Sequence, residues 1–355
     1  MSGVIGLDVG GAHLKLARLD GSGALVEVRI AACPLWRGLS ELDAALDKVG
    51  AHAKEPEVAA TMTGELADLW PDRASGVAAI SESLVARFGA DRLAIYAGAR
   101  RFVRADAAAD NALEVASANW RATAEAVAAQ GGAGLLVDIG STTSDLIPYG
   151  DGRVLATGAT DAGRMAADEL VYLGVARTPV MAIAPRLPFA GAWVTPMAEF
   201  FATSADVHRL TGDLDEAADL HPAADGGPKT AEGSARRLLR MVGADLTLDT
   251  GGAARRIADY LAEAQLRRLH DAALGLVTRS DIPAPQTIVG AGVGRFLAKR
   301  LAERLRLGYR HIGALFSDDP VLAALAADCA PAAAVARLYG ETARNPDGRR
   351  QVSDL

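Results

Sequence analysis

The sequence predicts an α/β protein built from two similar domains. Two segments, residues 6–15 and 136–145, share one pattern: an apolar run, Asp, an apolar residue, Gly, small or hydroxyl residues, and a return to apolar residues. Late in the chain, residues 288–294 form a strand-like run that leads into Gly-Ala-Gly-Val-Gly. With 355 residues, half of them apolar, the chain is long enough for two hydrophobic cores.

Alternation of apolar and polar residues and the positions of glycine turns predict the elements of the first domain. Strands are expected over residues 4–7, 14–19, 24–30, 58–62 and 92–96, and helices over residues 39–49, 76–88 and 111–130. The last of these helices is alanine-rich and is expected to end at Gly131 and Gly132.

The same β-rich pattern restarts after Gly132 and marks the second domain. Strands are expected over residues 134–139, 143–149, 153–157 and 287–289, and helices over residues 163–173, 254–278 and from the glycine loop to about 305. A last helix, over residues 321–339, is expected to cross back to the first domain. Thr160 or Asp161 is expected to cap the helix at 163–173. An irregular, partly helical insertion at about 179–250 is expected to carry substrate specificity. The predicted domains are residues 1–132 with 318–345, and residues 133–317.

The composition excludes several classes of protein. A net charge of −7 gives no basic face for non-specific nucleic-acid binding. No window of about 18 residues is apolar and free of charge, and no signal-peptide pattern is present, so a cytoplasmic protein without a membrane span is expected. Cys33 and Cys329 are expected to be packed thiols, and the histidines lack zinc-site spacing. The oligomeric state stays open, with a homodimer as one alternative.

Each Asp-Gly segment is expected to be a β-hairpin that binds phosphate. A glycine turn allows backbone N–H groups to approach an anion, and a neighbouring carboxylate can hold a hydrated divalent cation. Two hairpins facing each other across an interdomain cleft would clamp a polyphosphate with Mg²⁺, whether or not ATP binds. The candidates are Asp8, Lys15 and Asp138 for catalysis, Asp8 and Asp138 for Mg²⁺ through water, and Gly10, Gly11, Ser141, Thr142, Thr143, Gly290 and Gly292 for phosphate.

Two Asp-Gly hairpins followed by a strand and a Gly-Ala-Gly loop resemble the actin/Hsp70/sugar-kinase superfamily, which has a two-domain ribonuclease H-like fold. Thr-Gly-Ala-Thr-Asp at 157–161 resembles the hydantoinase/oxoprolinase-like branch. Four strings resemble a smaller group, the methanofuran-biosynthesis synthase of methanogens and its relatives in the tetrahydromethanopterin-linked one-carbon pathway of methylotrophic bacteria. They are Cys-Pro-Leu-Trp at 33–36, Thr-Met-Thr-Gly-Glu-Leu at 61–66, Ser-Ala-Asn-Trp at 117–120 and Glu-Leu-Val-Tyr at 169–172.

The resemblance implies a transferase of methanofuran or methylofuran cofactor biosynthesis. Such an enzyme joins a furanylmethyl diphosphate to the phenol oxygen of a glutamyl-tyramine or tyrosine-type acceptor and releases diphosphate. This chemistry suits a site with cations and backbone N–H groups at the leaving diphosphate, and a carboxylate near the phenol. Glu65 and Asp68, which follow a predicted strand, are the candidates for that carboxylate.

Other functions and other residues stay open at this point. The same fold suits an ATP-dependent kinase, a hydantoinase/oxoprolinase-type amide hydrolase or a non-catalytic nucleotide-binding protein. Weaker candidates for contact with substrate are Asp145, Asp161, Arg164, Trp36, Trp120 and Lys229. Core packing, helix starts and solvated charges explain several of these residues equally well. The role of His13, in the first glycine turn, also stays open.

Overall fold

The computed structural model describes residues 3–52 and 57–344 as an α/β protein. Its strands are β1 (Val4–Val9), β2 (His13–Leu19), β3 (Leu25–Ala32), β4 (Val58–Met62), β5 (Leu93–Tyr96), β6 (Phe102–Arg104), β7 (Gly134–Ile139), β8 (Ser144–Gly150), β9 (Arg153–Val154), β10 (Leu170–Val171), β11 (Leu187–Phe189), β12 (Ala192–Val194), β13 (Thr287–Ala291) and β14 (Gly308–His311). Its α-helices are α1 (Ser40–Lys48), α2 (Arg73–Phe88), α3 (Ala112–Val115), α4 (Asn119–Ala128), α5 (Asp161–Ala166), α6 (Val180–Ile183), α7 (Ser204–Thr211), α8 (Ala231–Arg240), α9 (Gly251–Val277), α10 (Arg295–Leu305), α11 (Pro320–Asp328) and α12 (Ala330–Arg344).

The chain divides into two compact units. The first contains Met1–Gly132, Asp151–Val154 and Ile312–Leu355, and the second contains Ala133–Gly150 and Leu155–His311. Each unit has its own sheet and its own buried core.

The first unit is a six-stranded sheet in the order β3-β2-β1-β4-β5-β6. β1 pairs antiparallel with β2 and parallel with β4, so a hairpin leads directly into a parallel α/β layer. Strand alternation turns Ile5 and Leu7 toward one core, shared with α1 and α2. The opposite face of β1 packs on α12. A Cβ on Gly6 would lie 2.0 Å from the Ala332 carbonyl oxygen, so only glycine allows this approach.

The second unit repeats this core topology. Its sheet runs β10-β8-β7-β13-β14, in which β7 pairs antiparallel with β8 and parallel with β13. Leu135, Val137 and Ile139 of β7 are buried against α9 and α10. Strand alternation therefore places Asp138 on the other face of the sheet, as it does Asp8 in the first unit.

The region predicted to be an irregular insertion forms a second core of this unit. The short helices α6–α8 and the hairpin β11–β12 pack against α9, where Leu238, Leu239 and Ile257 are buried. Arg237 and Asp206 are both buried there, and Arg237 Nε donates to Asp206 Oδ1 at 2.8 Å. The pairing compensates the cost of removing both charges from water.

The helix predicted over residues 111–130 is interrupted. α3 ends at Val115, Ser117 has a φ of 53°, and α4 begins at Asn119. Local helix propensity favours the alanine-rich sequence throughout, so the interruption reflects tertiary contacts of Ser117 and Asn119 that are described below.

Two further helices differ from the prediction. The helix predicted over 163–173 ends at Ala166, because Asp168 has a φ of 56° and the chain then enters β10. The helix predicted over 321–339 is two helices, α11 and α12, with axes bent by 103°. Pro331 lies in the first turn of α12, where the missing N–H of proline costs nothing, and it cannot continue α11. Strand β9 is also shorter than predicted, while β6, β10, β11, β12 and β14 were not predicted.

Within the described residues, no single helix is long and apolar enough to cross a membrane, although the bent pair α11–α12 passes this test by length and composition. Cys33 and Cys329 are buried thiols, which confirms the prediction that they are packed.

Candidate functional site

The structure contains a β-hairpin at the first Asp-Gly segment. Hairpin one consists of β1, β2 and the turn 10–13. The Gly10 amide donates to the His13 carbonyl at 2.9 Å and closes the turn. Gly11 has open space around it, and within residues 3–52 and 57–344 its amide donates to no acceptor. The turn thus presents a backbone N–H that an anion can accept.

Asp8 is the central side chain of hairpin one. It lies opposite Lys15 of β2 and beside Thr61 of β4, and it is 2% exposed. Lys15 Nζ lies 3.3 Å from Asp8 Oδ2, and Asn119 Nδ2 donates to Asp8 Oδ1 at 3.3 Å. These two contacts compensate the cost of burying the carboxylate. In the described part of the chain, the buried Thr61 Oγ1 has no hydrogen-bond partner.

The break between α3 and α4 places Ser117 and Asn119 beside two acidic side chains, Glu65 and Asp8. Glu65 lies in the 3-10 turn after β4 and is 2% exposed. Ser117 Oγ donates to Glu65 Oε1 at 2.9 Å. The left-handed backbone at Ser117 therefore lets one short segment contact Glu65 and then begin α4 with Asn119 against Asp8. Asp68, the other candidate for a base, is exposed.

Hairpin two consists of β7, β8 and the turn 140–143, and it has the same turn geometry. The Gly140 amide donates to the Thr143 carbonyl at 2.8 Å. Among the described residues, the amides of Ser141 and Thr142 donate to no acceptor. Two neighbouring N–H groups are therefore available to an anion.

The chain after β10 supports this turn from one side. The Ser141 carbonyl accepts from the amides of Ala176 at 3.1 Å and Arg177 at 2.8 Å. Gly174 packs so closely that a Cβ would lie 2.3 Å from the Thr142 nitrogen. Because a trans peptide directs its C=O and N–H to opposite sides, the Thr142 amide points away from this supporting segment.

The glycine loop after β13 packs against hairpin two within the same unit. Gly292 has a φ of +77°, and a Cβ there would lie 2.4 Å from Asp138 Oδ1. The Gly294 amide donates to the Ile139 carbonyl at 2.8 Å. Gly290 has a different surrounding, because it lies inside β13 and a Cβ would meet the Tyr309 hydroxyl at 2.6 Å. Gly292 thus borders the turn, whereas Gly290 accommodates a packed tyrosine.

Three of the weaker candidates form one ionic cluster. Asp145, opposite Asp138 in the hairpin, accepts a hydrogen bond from Arg164 Nη2. Arg164 Nη1 lies 3.9 Å from Asp161 Oδ1, and Arg164 is 2% exposed. Glu169, fully buried, accepts from the Gly158 amide at 2.9 Å and holds the preceding segment in place. The cluster thus braces the outer side of hairpin two.

The remaining candidates lie in unlike surroundings. Trp120 is buried at 6% exposure, whereas Trp36 is 42% exposed. Lys229 donates to the Asp219 and His221 carbonyls, and its Nζ lies 3.6 Å from Asp219 Oδ2. These contacts give Lys229 a role in ordering its own loop.

Sequence reasoning missed three residues that the structure brings to the hairpins. They are Asn119, which was assigned to a helix interior; Glu169, which was quoted only as part of a string; and Arg177. Partial burial lowers the pKa of the Arg177 guanidinium, and its Nη1 lies 3.5 Å from Thr142 Oγ1. A local pattern carries no signal for such contacts, because each partner lies far away along the chain.

The donor set suits Mg²⁺ only together with phosphate. No group of three or more His, Cys, Asp or Glu side chains that could hold a metal occurs among the described residues. Both oxygens of Asp8 already have partners, so contact through water is the arrangement that fits, and Thr61 Oγ1 is a further polar atom beside it. Mg²⁺ commonly keeps several waters and binds one or two carboxylates plus substrate phosphates.

Comparison with known proteins identifies relatives over most of the chain. The family model for hydantoinase/oxoprolinase matches residues 57–335. A protein of Methanocaldococcus jannaschii named (4-{4-[2-(gamma-L-glutamylamino)ethyl]phenoxymethyl}furan-2-yl)methanamine synthase is 32% identical over 243 residues. The alignment covers 68% of this chain and 72% of that protein.

One solved structure shows the same fold at low identity, and a second aligns with most of this chain. A nucleotide-free acetone carboxylase superposes with a TM-score of 0.54 and 12% identity, covering 86% of this chain and 67% of that one. A glucokinase of the ROK family from Streptomyces griseus has a TM-score of 0.44 and 14% identity, covering 95% of this chain and 99% of that one.

Proposed function

This chain belongs to the hydantoinase/oxoprolinase family and has the actin/Hsp70/sugar-kinase fold, and we propose that it is a transferase that forms an aryl ether and releases diphosphate. The product would be an intermediate of a methanofuran-type cofactor. The donor would be a furanylmethyl diphosphate, and the acceptor the phenol of glutamyl-tyramine or a tyrosine-type compound.

The observation that carries the proposal is the 32% identity to a named synthase over 72% of its length. The name of that relative describes a phenol oxygen joined through a methylene group to a furan that bears a methanamine. Forming that link from a phenol requires a furanylmethyl carbon with a leaving group, and diphosphate suits the anion-binding turns described above.

The proposed reaction balances without a redox partner. The phenol oxygen forms a bond to the furanylmethyl carbon as the bond from that carbon to the diphosphate oxygen breaks. The phenol proton passes to a base, and the electron pair of the broken bond leaves with diphosphate. Furan stabilises positive charge on the adjacent carbon, so departure of the leaving group can run ahead of attack.

The hairpins supply groups for the leaving diphosphate. In hairpin one, the Gly11 amide and the Lys15 ammonium would stabilise negative charge on a phosphoryl group, and in hairpin two the amides of Ser141 and Thr142 would do the same. Asp8 in hairpin one and Asp138 in hairpin two would each be able to hold Mg²⁺ through water, and an ion bound there would neutralise further charge on the phosphate oxygens.

Glu65 would act as the general base toward the phenol. It is the buried carboxylate of the two candidates, and Ser117 orients its Oε1 by a hydrogen bond of 2.9 Å. A fixed acceptor of this kind typically contributes about 100-fold or more to rate.

The test is to incubate the protein with Mg²⁺, a furanylmethyl diphosphate and glutamyl-tyramine, and to measure the ether by mass spectrometry and diphosphate by a coupled assay. Equal amounts of both products are expected. Glu65→Gln should lower kcat about 100-fold. Asp68→Asn, which changes an exposed carboxylate in the same segment, is the matched control and should retain activity. Absence of ether from the wild-type protein would exclude this function.

A second candidate is an ATP-dependent kinase or amide hydrolase, which the family match favours. Melting temperatures separate the two candidates, because a ligand that binds the folded state raises stability. Under the transferase proposal, diphosphate with Mg²⁺ raises the melting temperature at least as much as ATP with Mg²⁺. Strong stabilisation by ATP and none by diphosphate would favour the ATP-dependent enzyme.

A further inference from the structure

Hairpin two has a different charge opposite its aspartate. In hairpin one, Lys15 lies opposite Asp8 and within 3.3 Å of its carboxylate. In hairpin two, Asp138 lies opposite a second carboxylate, Asp145. An anion bound at the turn of hairpin two therefore needs a cation from another element of the second unit.

Arg164 makes its contacts away from the turn of hairpin two. It donates to Asp145 Oδ1 and to the Glu169 carbonyl, and it lies 3.9 Å from Asp161. With only 2% of its surface exposed, it neutralises the cluster that braces the hairpin. Its charge thus balances carboxylates of the protein itself.

Arg177 lies at the turn. Its backbone amide donates to the Ser141 carbonyl at 2.8 Å, which fixes the residue to the turn. Its guanidinium Nη1 donates to Thr142 Oγ1 at 3.5 Å, a long contact that places the charge beside the two available amides. Burial lowers the pKa of this guanidinium because desolvation disfavours the charged form, and a bound anion would offset that loss of solvation.

We propose that Arg177 is a diphosphate-binding residue that supplies hairpin two with the positive charge that Lys15 supplies to hairpin one. Its planar fork of N–H groups matches two oxygens of one phosphoryl group, and the amides of Ser141 and Thr142 hold a third. The inference rests on the proposed function for the choice of diphosphate as the anion. The subsite itself needs only hairpin two and Arg177.

Isothermal titration of the full chain with inorganic diphosphate and Mg²⁺ tests the inference. Arg177→Gln is expected to raise the dissociation constant about tenfold to 100-fold, as expected for loss of a charged hydrogen-bond donor. Arg267→Gln is the matched control, because it removes an arginine that is 67% exposed and pairs with Asp271 on α9. The control should bind diphosphate as the wild-type protein does.

Melting temperatures without ligand separate binding from folding. Arg177→Gln should keep a cooperative transition and lose most of the rise that diphosphate causes. If that variant does not fold, Arg177→Lys replaces it. Lysine keeps the charge but not the fork, so the dissociation constant of Arg177→Lys for diphosphate should lie above that of the wild-type protein and below the range expected for Arg177→Gln.

Unchanged affinity for diphosphate in Arg177→Gln, or in Arg177→Lys where that variant replaces it, overturns the inference. Diphosphate binding that depends on Arg177, in a wild-type protein that makes no ether, would instead remove the proposed function and leave the subsite in place.

Discussion

The two hairpins share a backbone and differ in what surrounds it. In both, an aspartate lies two residues before the first glycine of the turn, and that glycine donates to the carbonyl three residues on, at 2.9 Å and 2.8 Å. Lys15 lies opposite the first aspartate, and Asp145 lies opposite the second. The two hairpins therefore share one turn geometry, while the charge opposite the aspartate differs between them.

The supports of the two turns also differ. The Cys33 and Leu35 amides donate to the Ala12 and Gly11 carbonyls, so the chain just after β3 holds hairpin one. Hairpin two is held by the segment after β10. The Gly174 carbonyl accepts from Gln265, which contacts the buried His208. One turn thus has a local support and the other a support built from three separate elements.

Removal of either aspartate should have the largest effect. Under the proposed function, Asp8→Asn and Asp138→Asn are each expected to lower kcat about 100-fold, because the charge that would orient hydrated Mg²⁺ is lost. Steady-state assays of ether formation at saturating Mg²⁺ measure this. Asp68→Asn serves as the control. Normal turnover in one variant alone would show that only one of the hairpins acts in the reaction.

Removal of the cation of hairpin one should have a smaller effect. Lys15→Met is expected to weaken diphosphate binding about tenfold, since one charged contact is lost. Titration calorimetry measures the affinity for diphosphate. Lys48→Met, which alters an exposed lysine at the end of α1, is the control. An effect equal to that of the control would mean that Lys15 only neutralises Asp8.

Acidification should destabilise the protein through His208, in the support of hairpin two. Burial lowers the pKa of His208 and outweighs the opposing effects of the Gln265 hydrogen bond and Asp213. Below the unfolded pKa of about 6.5 the unfolded chain binds a proton that the folded chain resists, so stability falls as pH drops. Well above that pH, His208 is neutral in both the folded and the unfolded chain, so this effect on stability is absent there.

Urea unfolding at pH 7.5 and pH 5.5 measures this pH effect. His208→Gln removes the titrating ring and keeps an N–H donor for Gln265. Between pH 7.5 and pH 5.5, the free energy of unfolding should fall more in the wild-type protein than in His208→Gln. Equal losses would show that His208 does not resist protonation in the folded chain.

The smallest expected effect concerns Cys33, in the support of hairpin one. Burial raises the pKa of the Cys33 thiol to about 12, so almost no thiolate is present at pH 7.5. In a Cys329→Ser background, iodoacetamide should leave Cys33 unmodified until urea opens the fold, as judged by intact-protein mass spectrometry. Modification at the rate of a free peptide thiol would show that the support of hairpin one opens readily.

The sequence predicted the features that depend on neighbouring residues. The hairpins and β4 were predicted, and Thr160 is the N-cap of α5, one of the two residues predicted for it, because glycine turns, strand alternation and capping are local. The break at Ser117 was not predicted, because the alanine-rich sequence favours helix there and the contacts to Glu65 and Asp8 that accompany the break come from distant strands.

Charge partners were harder to predict than turns. Arg177 and Arg164 have similar sequence neighbourhoods rich in small residues, yet one lies at a turn and the other in an ionic cluster. Distinguishing them requires knowing that β10 pairs with β8, which brings both arginines to hairpin two from different sides. Pairing between short strands leaves little trace in a sequence.

Because α12 packs closely on β1, hairpin one is translated before hairpin two but is covered by its packing partners after it. Hairpin two, its partner β13 and their covering helices all lie between residues 134 and 305. Gly6 and the face of β1 that carries Asp8 are covered by Ala332 and its neighbours, which leave the ribosome last among these elements. The hairpin that is translated first is therefore the one that is completed last, and it stays exposed to chaperones and proteases for most of the time that translation takes.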